Sequence, residues 1–213
     1  MESTETALEI ANLTATYLIE GAADTFQSAK EKAARAIDSG TSKNLPSNIL
    51  VQRALAYNLS LLEGEDWRVR INEMRRASIE AMRFLADFDP HLVGSVLYGT
   101  ATEFSVICIH VYSDDVESVI WRLADANIKY HLGEVTLNGV RKNSLVFPNL
   151  EIAMANFDFD IVIFPLKYRF HPPNSPLDGK PYQRADMGRV QRLVEDQQIL
   201  FGKYLDVATE QSG

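Results

Sequence analysis

Residues 94–111 read GSVLYGTATEFSVICIHV, and this stretch decides the fold prediction. A Gly-Ser pair is followed by ten residues, after which Val106 and Cys108 stand two apart in an apolar run rich in β-branched residues. Such a run predicts a strand, in which residues two apart face the same side of the sheet. The sequence therefore predicts a small-residue turn leading into a strand that presents Val106 and Cys108 on one face.

The chain changes character at Pro90, with helical patterns before it and strand patterns after it. Helices are predicted over residues 6–37 with a break at Gly21, from Pro46 or Ser47, from Asp66 to a stop at 89–90, from Asp114 or Asp115, and over 187–204. Strands are predicted over residues 92–97, 105–111, 130–137, 145–155 and 157–164, with a hairpin turn at Asn138-Gly139. We expect an α+β protein with a mixed sheet, in which an N-terminal helical region (1–88) packs on an α/β core (89–213) that ends in a helix.

Charge and cysteine content narrow the class of protein. The net charge of −8 argues against broad nucleic-acid binding, which needs an excess of clustered Lys and Arg. Cys108 is the only cysteine, so no disulfide can form within the chain. The acidic N-terminus lacks the features of a signal peptide, and no apolar run approaches the ~20 residues that span a membrane. We expect a cytoplasmic protein with no membrane partner.

Four stretches carry a resemblance to a known group of proteins. They read FLADFDPHLVGSVLYGTAT (84–102), HVYSDDVESV (110–119), FDIVIFP (159–165) and SPLDGKPYQRA (175–185). Together they are similar to a bacterial, nucleotidyltransferase-like branch of the nucleotidyltransferase-fold superfamily, over residues 26–194. Minimal members of that superfamily show Gly-Ser, ten residues and Asp-x-Asp, with a third carboxylate on a later strand. The resemblance implies a nucleotidyltransferase-like mixed sheet with flanking helices.

The resemblance also implies a set of site residues. Gly94 and Ser95 would bind the phosphates of a nucleoside triphosphate, since a glycine lets the backbone approach and the hydroxyl donates a hydrogen bond. Val106 and Cys108 fall on the two positions of the Asp-x-Asp pair, where neither supplies the oxygen ligand that Mg²⁺ or Mn²⁺ prefers. The third position maps to Asp160, which is the catalytic candidate. Asp158, two residues earlier, joins Asp160 as a candidate metal ligand in a reduced site.

A basic segment follows the last predicted strand. In the resemblance, Lys167, Arg169 and Arg184 are candidates to neutralise phosphate, because Arg forks match phosphate oxygens and Lys supplies a point charge. The alternative interpretation is a solvated loop and helix face, with residues 175–181 forming an ordered turn.

Other side chains offer substitutes for the missing acids. Glu103 precedes the predicted strand, and His110 shares a face with Cys108. Cys108, His110 and Asp160 together would suit a softer ion such as zinc, or a Cys-His nucleophile. The simpler alternative is that Cys108 and His110 pack in the sheet and that the aspartates cap a loop or pair with an arginine.

Two functions follow as hypotheses. The first is a degenerate nucleotidyltransferase-like protein that acts as a nucleotide- or protein-binding module without two-metal transfer. The second is an active nucleotidyltransferase that moves a nucleoside monophosphate to an unknown acceptor through a non-standard metal site, so the sequence leaves enzyme activity open. The amphipathic N-terminal helices also suggest a homodimer or protein-partner surface.

Overall fold

The structure is a computed structural model, which describes residues 2–23, 25–37, 45–138, 144–175 and 180–195. The described residues form two compact units, one up to Arg68 and one from Val69 onwards. The division falls within a helix, whereas the sequence places it after residue 88. Each unit is described by itself.

The first unit consists of helices packed through small residues. Helices α1 (Glu2–Ile19) and α2 (Phe26–Ala36) are separated by a turn in which Gly21 has a φ of 67°. Both α2 and α3 (Asn48–Glu63) pack against α1, and alanines dominate the fully buried contacts between α1 and α3. Ser47 caps α3, because its side chain accepts a hydrogen bond from Leu50 N at 3.2 Å. The predicted start of this helix at Pro46 or Ser47 is therefore close to the observed one.

Helix α4 (Glu65–Phe84) begins directly after Gly64, so it starts just before the predicted cap at Asp66. Within the second unit, its buried Arg75 donates hydrogen bonds to the carbonyl oxygens of Val96, Leu97 and Leu193. The carbonyls of Val96 and Leu97 lie near the end of a short later helix, where backbone acceptors lack partners within their own helix, and that of Leu193 lies in the last helix described. Arg75 therefore ties α4 to both of those helices.

A five-stranded mixed sheet forms the second unit. Its strands are β1 (His91–Val93), β2 (Ile107–Tyr112), β3 (Tyr130–Asn138), β4 (Ser144–Met154) and β5 (Phe157–Phe164). Their order across the sheet is β1-β2-β5-β4-β3, with β2 and β5 parallel and the other neighbours antiparallel. The predicted α+β class is confirmed, and so is the mixed character of the sheet.

The two faces of the sheet differ along their length. One face of β2 carries Ile107, Ile109 and Val111, all fully buried. The other face is apolar only toward one end, where Tyr112, Phe147 and Phe164 belong to a second hydrophobic cluster. Toward the opposite end of the same face the side chains become polar and partly exposed, which places the candidate site there.

Three further helices belong to this unit: α5 (Gly94–Tyr98), α6 (Val116–Asp125) and α7 (Met187–Glu195). Asp115 caps α6, as one of the two predicted starts requires. The prediction of a strand over 92–97 is wrong beyond Val93, because the left-handed backbone of Gly94 ends β1 and α5 begins there. Gly139 of the predicted hairpin turn and the predicted end of the last helix lie outside the described residues.

Among the residues that the structure describes, no helix is long and apolar enough to cross a membrane.

Candidate functional site

The Gly94-Ser95 pair lies where β1 turns into α5. Gly94 has a φ of 74°, a left-handed conformation that a residue with a Cβ atom adopts at a cost. A Cβ atom built on Gly94 would stand 3.7 Å from the Cβ atom of Cys108, which is ordinary contact distance. The glycine is therefore required by the turn rather than by lack of space. Its backbone passes directly beside Cys108.

A row of paired residues crosses the sheet at the level of Cys108. Val93 pairs with Cys108, Cys108 with Asp160, Asp160 with Glu151, and Glu151 with His131. Directly paired residues project from the same face of a sheet. The structure thus brings Cys108 beside Asp160, at the two positions that the sequence assigned to one site.

Val106 and Asp158 lie one step nearer the start of their strands than this row. Val106 immediately precedes β2 and is 41% exposed. Asp158 is exposed on β5 and shares a face with Asp160, because the two are separated by one residue. Both aspartates therefore border the same polar end of the sheet as Val106 and Cys108, the two degenerate positions at which the Asp-x-Asp pair has lost its acids.

Glu151 is a site residue that the sequence interpretation missed. It lies on β4 directly opposite Asp160, so a second carboxylate faces the one predicted from the resemblance. The sequence signal for it is Asn156, a residue type that two-residue hairpin turns favour. In the structure Ala155 and Asn156 form such a turn, with φ values of 51° and 65°. Counting outward from that turn through the pair Met154 and Phe157 sets Glu151 against Asp160.

Asp160 lies in an environment that disfavours its charge. Its Oδ1 atom accepts a hydrogen bond of 2.7 Å from the side-chain amide of Asn149. Burial raises the pKa of Asp160, the Asn149 hydrogen bond lowers it and the neighbouring Glu151 carboxylate raises it, with a net rise. Among the described residues, no lysine or arginine forms an ion pair with Asp160, Asp158 or Glu151.

Cys108 is a half-buried thiol rather than a nucleophile. Burial and the charge of Asp160 raise the pKa of Cys108 to about 11, so the thiol stays protonated near neutral pH. Its Sγ atom lies 3.8 Å from the carbonyl oxygen of Val106. The arrangement does not activate Cys108.

His110 is a core side chain. It is 2% exposed, and its ring packs edge-on against Phe164 and Tyr182 at centroid distances of 4.7 Å each. Burial, Arg184 and His91 lower the pKa of His110 to about 3, so the imidazole is neutral and cannot accept a proton from Cys108 near neutral pH. The structure therefore supports the packing interpretation of Cys108 and His110 over the Cys-His nucleophile.

The two positions of the Asp-x-Asp pair do not supply the oxygen ligands of a magnesium or manganese centre. Within the described part of the chain, no three His, Cys, Asp or Glu side chains are arranged to hold a metal ion. Val106 supplies no ligand, and the protonated thiol of Cys108 is a poor one for a hard cation. Glu103, the suggested substitute, lies exposed in the turn before β2.

A cavity of about 680 Å³ opens at this end of the sheet. It is lined by Val106, Cys108, Lys129, Tyr130, His131, Glu151, Ile152, Ala153, Asp158, Phe159 and Asp160. The lining joins both degenerate positions, both predicted aspartates and Glu151. A concave site with convergent polar groups and shifted pKa values is the natural candidate for ligand binding.

The predicted phosphate-binding cations are not among the residues that line this cavity. Arg184 donates a hydrogen bond to the hydroxyl of Tyr112, four residues beyond Cys108 on β2, which corresponds to roughly 13 Å along the strand. Arg169 forms an ion pair with Asp89 at 2.6 Å. Lys167 lies over the ring of Tyr168, 5.2 Å from its centroid. Each of the three side chains thus has a partner elsewhere in the described part of the chain, whereas residues 176–179 of the predicted ordered turn lie outside it.

The same segment nevertheless reaches the site face through Tyr182, which the sequence interpretation did not single out. The ring of Tyr182 contacts His110. Burial, followed by the charges of Cys108, Tyr98 and Asp160, raises the pKa of Tyr182 to about 12. Just beyond, Ala185 pairs with Leu92 through two backbone hydrogen bonds, which fixes the segment beside β1.

Outside the site, α1 and α3 border a groove of about 290 Å³ at which Leu61 and Leu62 are exposed. The homodimer or partner surface on the N-terminal helices stays a prediction.

Comparison of the chain with protein-family models, with curated proteins and with solved structures gives no match.

Proposed function

We propose that this protein is a nucleotidyltransferase-like binding module that holds a ligand beside Asp160 and does not catalyse two-metal nucleotidyl transfer. One observation carries the proposal: Cys108 is paired with Asp160 and lies against Gly94, yet its side chain is a thiol and not a carboxylate. The arrangement expected for three metal-binding carboxylates thus retains its positions and lacks two of its ligands.

The physical argument concerns charge. Two-metal transfer depends on cations that bridge the nucleophile and the leaving pyrophosphate and neutralise the charge that develops between them. Val106 and Cys108 supply no anionic oxygen for such cations. Removing those ligands removes the largest electrostatic contribution to the reaction while leaving a concave binding surface in place.

The order of helices and strands supports the proposed relation to the nucleotidyltransferase fold. A short strand leads into the Gly94-Ser95 helix, which is followed by β2, by α6 and later by the strand that carries Asp160. This is the order that the sequence resemblance implies. The ligand classes that follow from the resemblance are a nucleotide, held in part by Gly94 and Ser95, or a protein segment.

The proposal is tested by measuring pyrophosphate release. The protein is incubated with each of the four ribonucleoside triphosphates, with Mg²⁺ or Mn²⁺, in the presence of a cell lysate as a source of acceptors. The expected result is no release above that of a heat-denatured control. Metal-dependent release by the native protein would refute the proposal.

The alternative, an active transferase with a non-standard site, is favoured by Glu151. This residue places a third carboxylate on the face that carries Asp158 and Asp160. If the alternative is right, Glu151→Gln abolishes the pyrophosphate release. Glu80, which is also exposed and lies outside the cavity, provides the matched control as Glu80→Gln, which leaves the release unchanged.

A further inference from the structure

We propose that the outer edge of β3 is a dimerisation surface, and that it pairs antiparallel with the same strand of a second copy of this chain. The interaction goes beyond the proposed binding function and does not depend on it. It also differs from the predicted surface on the N-terminal helices, because it uses the sheet of the second unit.

The two edges of the sheet differ in how they are covered. At one edge, β1 is three residues long and its Leu92 pairs with Ala185. At the other edge, β3 is nine residues long, and within the described part of the chain no strand or isolated bridge pairs with its outer side. The described residues of β3 form no hydrogen bond to a segment outside the sheet. Such an edge presents a row of backbone donors and acceptors that another extended strand can satisfy.

The edge lacks the features that keep the edge strands of natural proteins from pairing. Its sequence, YHLGEVTLN, contains no proline, lysine or arginine, and Glu134 is its only acidic side chain. Pairing with β4 keeps one register from Tyr130 to Asn138, so no bulge turns the edge away. Leu132 is 50% exposed and Tyr130 is 42% exposed. A long edge strand with exposed apolar side chains favours pairing with another strand.

The side chains of β3 are complementary to themselves when a two-fold axis passes through Leu132. Leu132 then lies opposite Leu132 of the second copy, Tyr130 lies opposite Glu134, and His131 lies opposite Gly133. The tyrosine hydroxyl can donate a hydrogen bond to the carboxylate, and an aromatic ring opposite an edge glycine is favourable. An axis through Glu134 would instead set two carboxylates opposite each other, which is destabilising. The register centred on Leu132 is therefore the one we expect.

A second copy is the partner that these features favour. Every copy presents the same open strand, so one two-fold contact covers both edges at once, and two-fold dimers are the commonest homo-oligomers. The chain carries a net charge of −8, whereas β3 carries a single carboxylate. Pairing through β3 therefore brings two acidic proteins together at a surface with little local charge repulsion.

The first experiment is sedimentation velocity on the full chain in about 0.15 M salt, which screens the net charge. A contact through one strand of each copy is small and weak, so we expect the average mass to rise from one chain to two between about 1 μM and about 500 μM. Leu132→Lys is expected to weaken association at least tenfold, because two ammonium groups then meet at the two-fold axis. The matched control is Leu61→Lys, at an exposed leucine of α3, which is expected to leave association unchanged.

The second experiment tests the register by oxidation with copper phenanthroline in a Cys108→Ser background. Leu132→Cys is expected to form a disulfide-linked dimer, because directly opposite residues bring their Cβ atoms to about 5 Å. Glu134→Cys is the control and is expected to stay unlinked, because its two thiols are then four residues apart along the paired strands, roughly 13 Å.

Three results would overturn the inference: a chain that is monomeric over the whole concentration range, a dimer that Leu132→Lys leaves intact, or cross-linking that is no faster for Leu132→Cys than for Glu134→Cys. A dimer that Leu61→Lys disrupts and Leu132→Lys does not would assign the contact to the N-terminal helices instead. Circular dichroism of each variant excludes unfolding as the cause. Neither sedimentation nor cross-linking depends on pyrophosphate release, so this inference and the proposed function can fail separately.

Discussion

Arg75 holds the part of the scaffold that carries Gly94 and Ser95, and its replacement by methionine tests that role. The guanidinium group is 2% exposed and donates to Val96 O and Leu97 O at 3.3 Å each and to Leu193 O at 3.4 Å. Methionine keeps much of the apolar stem and removes all three donors. The three carbonyls, in α5 and α7, then lose the guanidinium group as a donor.

The magnitude follows from two opposing contributions. Each buried carbonyl left without a donor costs about 2 kcal/mol, which gives about 6 kcal/mol for three. Burial lowers the pKa of Arg75 to about 10, so removing the buried charge recovers about 3 kcal/mol. We therefore expect Arg75→Met to lower the free energy of unfolding by about 3 kcal/mol.

The assay is equilibrium urea unfolding followed by circular dichroism. The neighbouring Arg76 is exposed on the same helix, so Arg76→Met is the matched control and should change the free energy of unfolding by less than about 0.5 kcal/mol. Arg75→Lys should fall between wild type and methionine, because one ammonium group cannot reach all three carbonyls. If Arg75→Met and Arg76→Met were equally stable, the account of how α5 is held would be refuted.

The remaining predictions concern the titrating groups of the site face. Asp160→Asn should raise the free energy of unfolding at neutral pH, because the raised pKa of Asp160 means that only its ionised form is destabilising. The gain, measured by urea unfolding, should vanish in acid, and a gain that persists in acid would contradict this reasoning. The pKa of His110 in the folded protein is about 3, so only the unfolded state takes up a proton at this residue between about pH 6.5 and pH 5. The free energy of unfolding should therefore be unaffected by His110 above about pH 6.5 and lower by about 2 kcal/mol at about pH 5. In the same urea titrations, His110→Phe should remove this loss of stability in acid, and His171→Phe, at an exposed position, should not. If the free energy of unfolding fell equally with pH in both variants, the role of His110 would be refuted. Cys108 should react slowly with iodoacetamide at neutral pH, and faster in Asp160→Asn than in Asp158→Asn, because, besides burial, the charge of Asp160 raises the pKa of the thiol. Equal rates in the two variants would show that Asp160 does not influence Cys108.

Strands bounded by strong local signals could be predicted from the sequence. The predicted limits of β5, Phe157–Phe164, are those observed, because the turn at Asn156 begins the strand and Pro165 ends it. The same reasoning failed at β1, where an apolar run continues through Leu97. Periodicity alone does not distinguish a short strand from a short buried helix. The left-handed conformation of Gly94 ends the strand, and α5 begins there.

The candidate site could be predicted only as far as spacing fixes it. The count from Ser95 to Cys108 and the resemblance at Asp160 pointed to two residues that the sheet pairs directly. Glu151 was missed because its place depends on the register of β4 against β5, which requires the turn between them to be recognised. The ion pair of Arg169 with Asp89 could not be predicted from the sequence, because the two residues lie 80 positions apart.

Titration of the protein with Mn²⁺, followed by electron paramagnetic resonance of the free ion, tests the central claim most directly. The claim is that Val106 and Cys108 occupy metal-ligand positions beside Asp160 without being able to bind metal. Wild-type protein should bind Mn²⁺ weakly, and the double variant Val106→Asp with Cys108→Asp should bind at least tenfold more tightly, since it restores anionic oxygens at both positions. Tight binding by wild type, or a double variant that binds no better, would contradict the account.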